Sequence, residues 1–375
     1  MRLKEYRKKP EIPMATIGLL MIGSLALRKQ SLHQVDLFAR QADVRRWMGS
    51  DRAMVASDCT FWRVLPRMDR AQLREEVQQA NIRLNQQGNG KILLPGGREI
   101  PAAAVDGSTF GHREASVLEQ LGRHAAVLDL EPSAGKGHEL AASERVLRRT
   151  GQRHGPRFVD VVLGDGLYLT EPMMRLCGQL GIHLLVKTQE EGLLIVKDAE
   201  ALFNAPMMSR DVEHTQGTDV ARGMAYEVWA ASGFTHGQFP GKLKVARMRI
   251  RMLKGPRKGK TQTWWIITTD VTLTAEQMRE LAHRRWSIEN HTFRALNQHM
   301  NSKHVWVRGQ QADRAFEALM LLMVLAFVLV LAYREHLDRE QVWATYRLRR
   351  LTLAYVTECL LLSLSGAAGL FSADG

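Results

Sequence analysis

The chain has 375 residues, 45% of them hydrophobic, too many for one minimal domain and apolar enough for a sizeable buried core. Against 39 Asp and Glu stand 52 Lys and Arg, a formal net charge of +13 that points to a polyanionic partner, either nucleic acid or an anionic membrane surface. Cys59, Cys177 and Cys359 lie far apart and are odd in number, which excludes a disulfide framework or zinc-finger spacing and makes a reducing cytoplasm the expected setting.

From Ile12 to about Gln87 the apolar spacing is helical, with Ser57 and Asp69 placed as N-caps before Phe61–Leu65 and Ala71–Leu84. The apolar run Met14–Leu27 contains Thr16, Gly18, Gly23 and Ser24 and runs into Arg28-Lys29 without a cleavage site, so it reads as a core helix and not as a signal peptide. Residues 1–97 read as a helical N-terminal DNA-binding region, in which Arg45, Arg46, Arg63, Arg67 and Arg70 are either a solvated face or, the reading favoured by the net charge and the helical pattern, a surface that docks on DNA. The Gly- and Asn-rich stretch Asn85–Gly97 closes it.

Residues 98–188 follow as strand Ile100–Asp106, strands near Ser116–Leu121 and Ala125–Leu130, helix Glu139–Arg149, strand Phe158–Gly164, helix Glu171–Leu180 and strand His183–Lys187. Strands joined through helices run parallel, so the expected fold class is α/β, a mixed sheet flanked by helices. Residues 189–270 carry strand-like runs at Gly192–Lys197, Met224–Ala230, Leu243–Leu253 and Gln262–Thr268, a β-rich insertion. Helix period returns over 271–350, from Thr274 to about Met300 and again at Ala318–Tyr333, with residues 351–375 as a C-terminal tail. The last apolar run has about 16 residues, under the roughly 18–20 needed to span a bilayer, so no membrane partner is expected.

Three carboxylates stand out. Asp106 and Asp165 end strands and are each followed by glycine, at the sheet edge where α/β folds collect ligands. Glu289 falls on an apolar helix stripe through Trp286, Phe293, Leu296 and Met300, where an unpaired charge is costly. Either an ion pair with Arg285 at i−4 or a metal ion would compensate it.

Four segments carry a resemblance: Val105-Asp106-Gly107-Ser108-Thr109, Val162-Leu163-Gly164-Asp165-Gly166-Leu167-Tyr168, Trp264-Trp265-Ile266-Ile267-Thr268-Thr269, and Arg284-Arg285-Trp286-Ser287-Ile288-Glu289-Asn290. The chain resembles DDE transposases of bacterial insertion sequences of the family-four type, with a ribonuclease-H-like fold, a β-rich insertion and an Arg-x3-Glu signature helix. The resemblance implies Asp106, Asp165 and Glu289 as a catalytic triad with Arg285 beside it, holding two Mg²⁺ ions for which Mn²⁺ would substitute. It implies cut-and-paste phosphoryl transfer on double-stranded DNA, at element ends and in target DNA, by a homodimer. Ala282 and Leu296 stand where the signature usually has Tyr and Lys, so two phosphate contacts would be missing or supplied by His283, Arg284, Arg294 or Lys303. A catalytically inactive DNA-binding relative is the alternative.

Trp264 and Trp265 would stack on a flipped base or serve as a core and a face residue of the insertion. Together with Arg284, Arg294, Lys303 and Arg63 they form the expected DNA-contacting set. His283, His291, His299 and His304 lack a compact helical metal spacing, and Ala134–Leu140 is a glycine loop without the spacing of a nucleotide-binding P-loop.

Overall fold

The computed structural model describes residues 3–47, 56–123, 125–205, 211–339 and 356–360. The N-terminal region forms helices α1 (Met14–Ala26), α2 (Leu32–Ala39), α3 (Ala42–Trp47), α4 (Asp58–Val64) and α5 (Arg70–Leu84). Ser57 Oγ accepts from the Thr60 N–H, and the Asp69 carboxylate accepts from the Ala71 and Gln72 N–H groups, so both expected caps close helix starts. Helix α5 is tied to the sheet by polar contacts through its inner face. Asn81 Nδ2 donates to the Val127 carbonyl at 2.8 Å, and Arg74, 8% exposed, pairs with Asp129 and Glu317.

A two-stranded hairpin, β1 (Ile92–Leu93) with β2 (Glu99–Ile100), leads into the main sheet. There follow β3 (Ala102–Phe110), β4 (Arg113–Leu121), β5 (Ala126–Pro132), α6 (Glu139–His154), β6 (Val161–Asp165), α7 (Glu171–Gln179) and β7 (His183–Thr188). Their spatial order is β5-β4-β3-β6-β7, with β4 antiparallel to both β5 and β3, and β6 and β7 parallel to β3. This is the ribonuclease-H-like arrangement: a meander whose first strand pairs with β6, which in turn pairs with β7, both strands being brought back through helices.

After α8 (Leu194–Phe203) the chain forms β8 (Glu213–Asp219), β9 (Met224–Phe234), β10 (Leu243–Met252) and β11 (Thr261–Thr268). Because β11 pairs with β7, these strands extend the same sheet to nine. Two expectations change here. Gly192–Lys197 is not a strand: Ile195, Val196, Ala199 and Phe203 are buried at helical spacing on α8. Strand β8 has no apolar alternation in its sequence because it is the polar outer edge of the sheet.

The chain then returns to helix in α9 (Ala275–Arg284), whose start carries a capping box between Thr274 and Gln277. A π turn (Ile288–Phe293) leads into α10 (Arg294–His299), and α11 (Ala312–Arg339) follows. Helix α11 is longer than its apolar stretch suggested and, by length and composition, long enough to cross a membrane, yet 78% of its apolar window is buried within the protein. The tail expected at 351–375 lies outside the described residues except for 356–360.

The sheet divides the interior in two. One layer holds Val146, Met173 and Val196 of α6, α7 and α8; the other holds residues of α1, α5, α9, α10 and α11. Alternation along the strands sends Ala104, Leu163, Leu185 and Ile266 into the second layer.

Candidate active site

Two residues beyond Ala104, Leu163 and Leu185, on the same face, come Asp106 on β3, Asp165 on β6 and Lys187 on β7, and two before Ile266 comes Trp264 on β11. The strand order therefore lays a carboxylate, a carboxylate, a lysine and an indole side by side beneath the helix that carries Glu289. Asp106 does not end its strand, as the sequence suggested. Strand β3 runs on to Phe110 against β4, but its parallel pairing with β6 stops at Ala104↔Leu163, so Asp106 stands where the two strands part.

Asp165 is the last residue of β6, and its Oδ1 accepts from the Leu167 N–H at 2.9 Å, fixing the short turn after the strand. The glycines after the two aspartates serve close packing. A Cβ on Gly107 would lie 2.5 Å from Glu139 Cδ, and one on Gly166 would lie 2.8 Å from Thr188 Oγ1. Glu139, in the first turn of α6, accepts from the Gly107 N–H at 2.9 Å and from the Tyr168 hydroxyl at 2.7 Å. Nothing local in the sequence marks Glu139, because its partners lie 32 and 29 positions away.

Glu289 departs from the expected geometry. Its side chain is 46% exposed, not buried on an apolar stripe, because the helix is a π turn there and the inward positions are Arg285 and Ile288. Arg285 bridges the site: one guanidinium nitrogen donates to Asp106 Oδ2 at 3.4 Å and the other to Glu289 Oε1. Of the two compensations weighed for Glu289, the ion pair with Arg285 is formed.

Burial pushes the Asp106 carboxyl up to about 7, opposed by the Arg285 guanidinium and reinforced by the negative charges of Glu139, Asp165 and Glu289. A desolvated carboxylate among like charges is a donor set that a hard divalent cation would stabilise. Among the described residues, however, no three His, Cys, Asp or Glu side chains come close enough together to hold an ion, and Arg285 stands between two of the expected ligands. The oxygen chemistry fits Mg²⁺, and the positive charge now at the site belongs to Arg285.

Lys187 was not singled out from sequence, although a lysine two residues after inward Leu185 in an apolar strand is a readable signal. It is 3% exposed, its Nζ lies 3.6 Å from the Trp264 ring centroid and 3.5 Å from that of Trp286, and it meets no hydrogen-bond partner. Burial pushes its pKa down to about 7, with Arg285 adding to the effect and Glu289 opposing it.

The other expected contacts separate. Trp264 stands edge-on to Trp286, 5.5 Å between centroids, in the wall of a cleft of about 540 Å³ that Arg222, Arg257, Arg284 and Asn290 also line. Trp265 is 2% exposed on the opposite sheet face, stacked at 6.3 Å on Phe203, and so leaves the DNA-contacting set for the core. Arg284 pairs with Glu280 at 2.8 Å while still lining the cleft. Arg294, Lys303 and Arg63 are exposed. His283 is held neutral, since burial and the cations Arg222, Lys187 and Arg279 push its pKa down to about 4. It is therefore a poor replacement for a phosphate-binding lysine. Ala282 and Leu296 are fully buried, so the positions of the missing Tyr and Lys face the core.

Comparison with known proteins adds the following. The profile of a transposase DDE domain family matches residues 116–329, a span that includes Asp165, Arg285 and Glu289 and begins after Asp106. No match is found among curated proteins. Among solved structures, a piggyBac transposase synaptic complex with hairpin DNA aligns over 98% of this chain and 76% of that one, at 10% identity and a TM-score of 0.37, too loose a likeness to bear on the argument.

Proposed function

This chain belongs to the transposase DDE domain family, and on that premise we propose that it is a DNA transposase that cleaves element ends and joins them to target DNA at one carboxylate site. The observation that carries the reading is the placing of Asp106 and Asp165 on adjacent strands of one sheet face, with Glu289 drawn to Asp106 through Arg285. Asp106, Asp165 and Glu289 would hold two Mg²⁺ ions, or Mn²⁺ in their place. Bound there, such ions supply Lewis-acid stabilisation of the attacking and leaving oxygens in an in-line displacement at phosphorus.

The remaining steps belong to the protein's own groups. Arg285 would supply positive charge beside the scissile phosphate, where low dielectric strengthens it, and a phosphate bound nearby would favour the charged form of buried Lys187. Glu139 holds the Gly107 backbone, and through it the strand that presents Asp106. The cleft with Trp264, Trp286 and three arginines suits a DNA strand, its bases on indole and its phosphates on guanidinium. Basic residues of the N-terminal helices, Arg63 among them, would dock double-stranded element ends, with a homodimer pairing two ends in a reducing cytoplasm. The expected units 1–97, 98–188, 189–270, 271–350 and 351–375 remain our proposed organisation.

The test is Mg²⁺-dependent cleavage of a DNA duplex carrying the ends that flank the coding region. Asp106→Asn, Asp165→Asn and Glu289→Gln should each reduce it by about a thousandfold or more while binding is kept. Cleavage surviving any one of them removes that residue from the site. A catalytically inactive DNA-binding relative is the second reading, favoured by the buried Ala282 and Leu296. Salt-sensitive DNA binding without cleavage in either Mg²⁺ or Mn²⁺ would select it.

A further inference from the structure

The hairpin of β10 and β11 departs from the charge balance of the rest of the chain. Between Glu227 and Asp270 stand nine Lys and Arg and no acidic residue. Lys244 pairs with Glu213, and buried Arg247 donates to Asn204 Oδ1 at 2.7 Å, so these two serve the fold. Arg249, Arg251, Lys254, Arg257, Lys258 and Lys260 are exposed, and among the described residues none of the six forms an ion pair. Cations gathered without acids repel one another, a strain on the folded chain that an arriving polyanion relieves.

The pleat sorts these strands into two faces. Ile250 and Met252 of β10 line the Trp264 cleft together with Gln262 of β11. Arg249 and Arg251 alternate with them and so belong to the opposite face, where their cross-strand neighbours are Thr263 and Thr261 of β11 and Glu227 and Ala225 of β9. Glu227, the acid of that group, is taken by His214 at 3.1 Å. Two positions apart on an antiparallel strand, the two arginines sit about 7 Å from each other, near the separation of successive phosphates along one nucleic-acid strand. The hairpin loop continues the row with its lysines, and the threonine hydroxyls are further donors to phosphate. Leu253 and Val220 nearby are too little exposed apolar surface to anchor this face in a bilayer, so its charge fits a nucleic-acid backbone better than a lipid surface.

We propose that this row is a second DNA-contacting surface: Arg249, Arg251 and the hairpin lysines hold the phosphate backbone of a duplex on the sheet face turned away from the Trp264 cleft. Arg257, which lines the cleft, stands where the two surfaces meet at the hairpin. The choice of DNA as the polyanion rests on the transposase reading, whereas the charge row stands without it. A chain with two such surfaces holds one duplex beside the carboxylates and another behind the insertion, as joining element ends to target DNA requires.

The test is the anisotropy of a fluorescent DNA duplex of unrelated sequence, titrated with the full chain over a range of salt concentrations. Arg249→Gln with Arg251→Gln, and separately Lys258→Gln with Lys260→Gln, should each lower the slope of log affinity against log salt by about two and weaken binding in about 0.1 M salt at least about tenfold. Arg148→Gln with Lys197→Gln removes two exposed charges from α6 and α8 and should leave the slope in place. An equal fall for that control assigns the effect to net charge and overturns the surface, as do hairpin variants that bind the duplex like the wild type. Hairpin variants that lose affinity for vesicles of anionic phospholipid and keep it for DNA overturn it as well. Cleavage of the duplex carrying the element ends separates the two ideas: wild-type cleavage with unchanged hairpin slopes sinks the surface alone, and lowered slopes without wild-type cleavage sink the catalytic reading alone.

Discussion

Arg285 donates to Asp106 at 3.4 Å across 179 positions of sequence, joining the helix that carries Glu289 to β3 of the main sheet. With Arg285 8% exposed, the contact is largely out of water, where losing one partner of an ion pair costs more than the pair itself contributes. Arg285→Gln should therefore destabilise the protein by about 2–4 kcal/mol in urea denaturation. Arg285→Lys keeps the charge but loses the fork that reaches two carboxylates, and should fall between. A wild-type midpoint for Arg285→Gln would mean that the bridge carries no structural weight.

Lys187 lies between two indole faces in a place that disfavours its charge. Lys187→Met fills similar space without an ammonium, and the free protein should gain about 1–3 kcal/mol. DNA binding should move the other way: the slope of log affinity against log salt should fall by about one ion for Lys187→Met and be restored by Lys187→Arg. An unchanged slope would place Lys187 away from phosphate.

Gly107→Ala sets a methyl group against the Glu139 carboxyl, 2.5 Å from Cδ, and must displace the acceptor of the Gly107 N–H and Tyr168 hydroxyl bonds. The expected loss is about 1–3 kcal/mol, with impaired cleavage because the Asp106 strand moves. Pairing Gly107→Ala with Glu139→Ala should recover part of the stability, since the clash is removed; a fully additive double mutant would contradict the packing account.

Burial pushes Glu119 up to about 7 from an ordinary 4.5. The folded state then binds more protons than the unfolded one between those values, so this group's contribution to stability falls as pH rises from about 4.5 to 7 and levels off above. Glu119→Gln cannot ionise and should lose that decline, gaining on the wild type by up to about 3 kcal/mol by pH 8. Urea midpoints between pH 5 and 8 measure it, and parallel curves for the two proteins would show Glu119 to be ordinary in the fold.

The strand and helix order of residues 98–188 was legible in sequence because local periodicity records which face of each element is buried, and connection rules then fix the sheet. The caps at Ser57 and Asp69 were legible for the same reason: cap and capped amides are two or three residues apart. Where local pattern and context disagreed, as at Gly192–Lys197 and on β8, packing against a neighbour and position at the sheet edge decided. Trp264 and Trp265 are adjacent in sequence, yet the pleat sends one to the cleft and the other to the core.

The sequence alone singled out Asp106 and Asp165, each followed by glycine, and Glu289 on a late helix, since residue types and spacings are local properties, but it set Asp106 at a strand end where the strand in fact runs on. Only the tertiary structure decided that Arg285 stands between two of them, that Glu139 and Lys187 belong beside them, and that a π turn faces Glu289 outward. The bridge and the Glu139 contacts join residues far apart in the chain and the π turn adds one residue to a helix, none of which leaves a periodic trace; Lys187 shows in the strand alternation, but its indole neighbours do not.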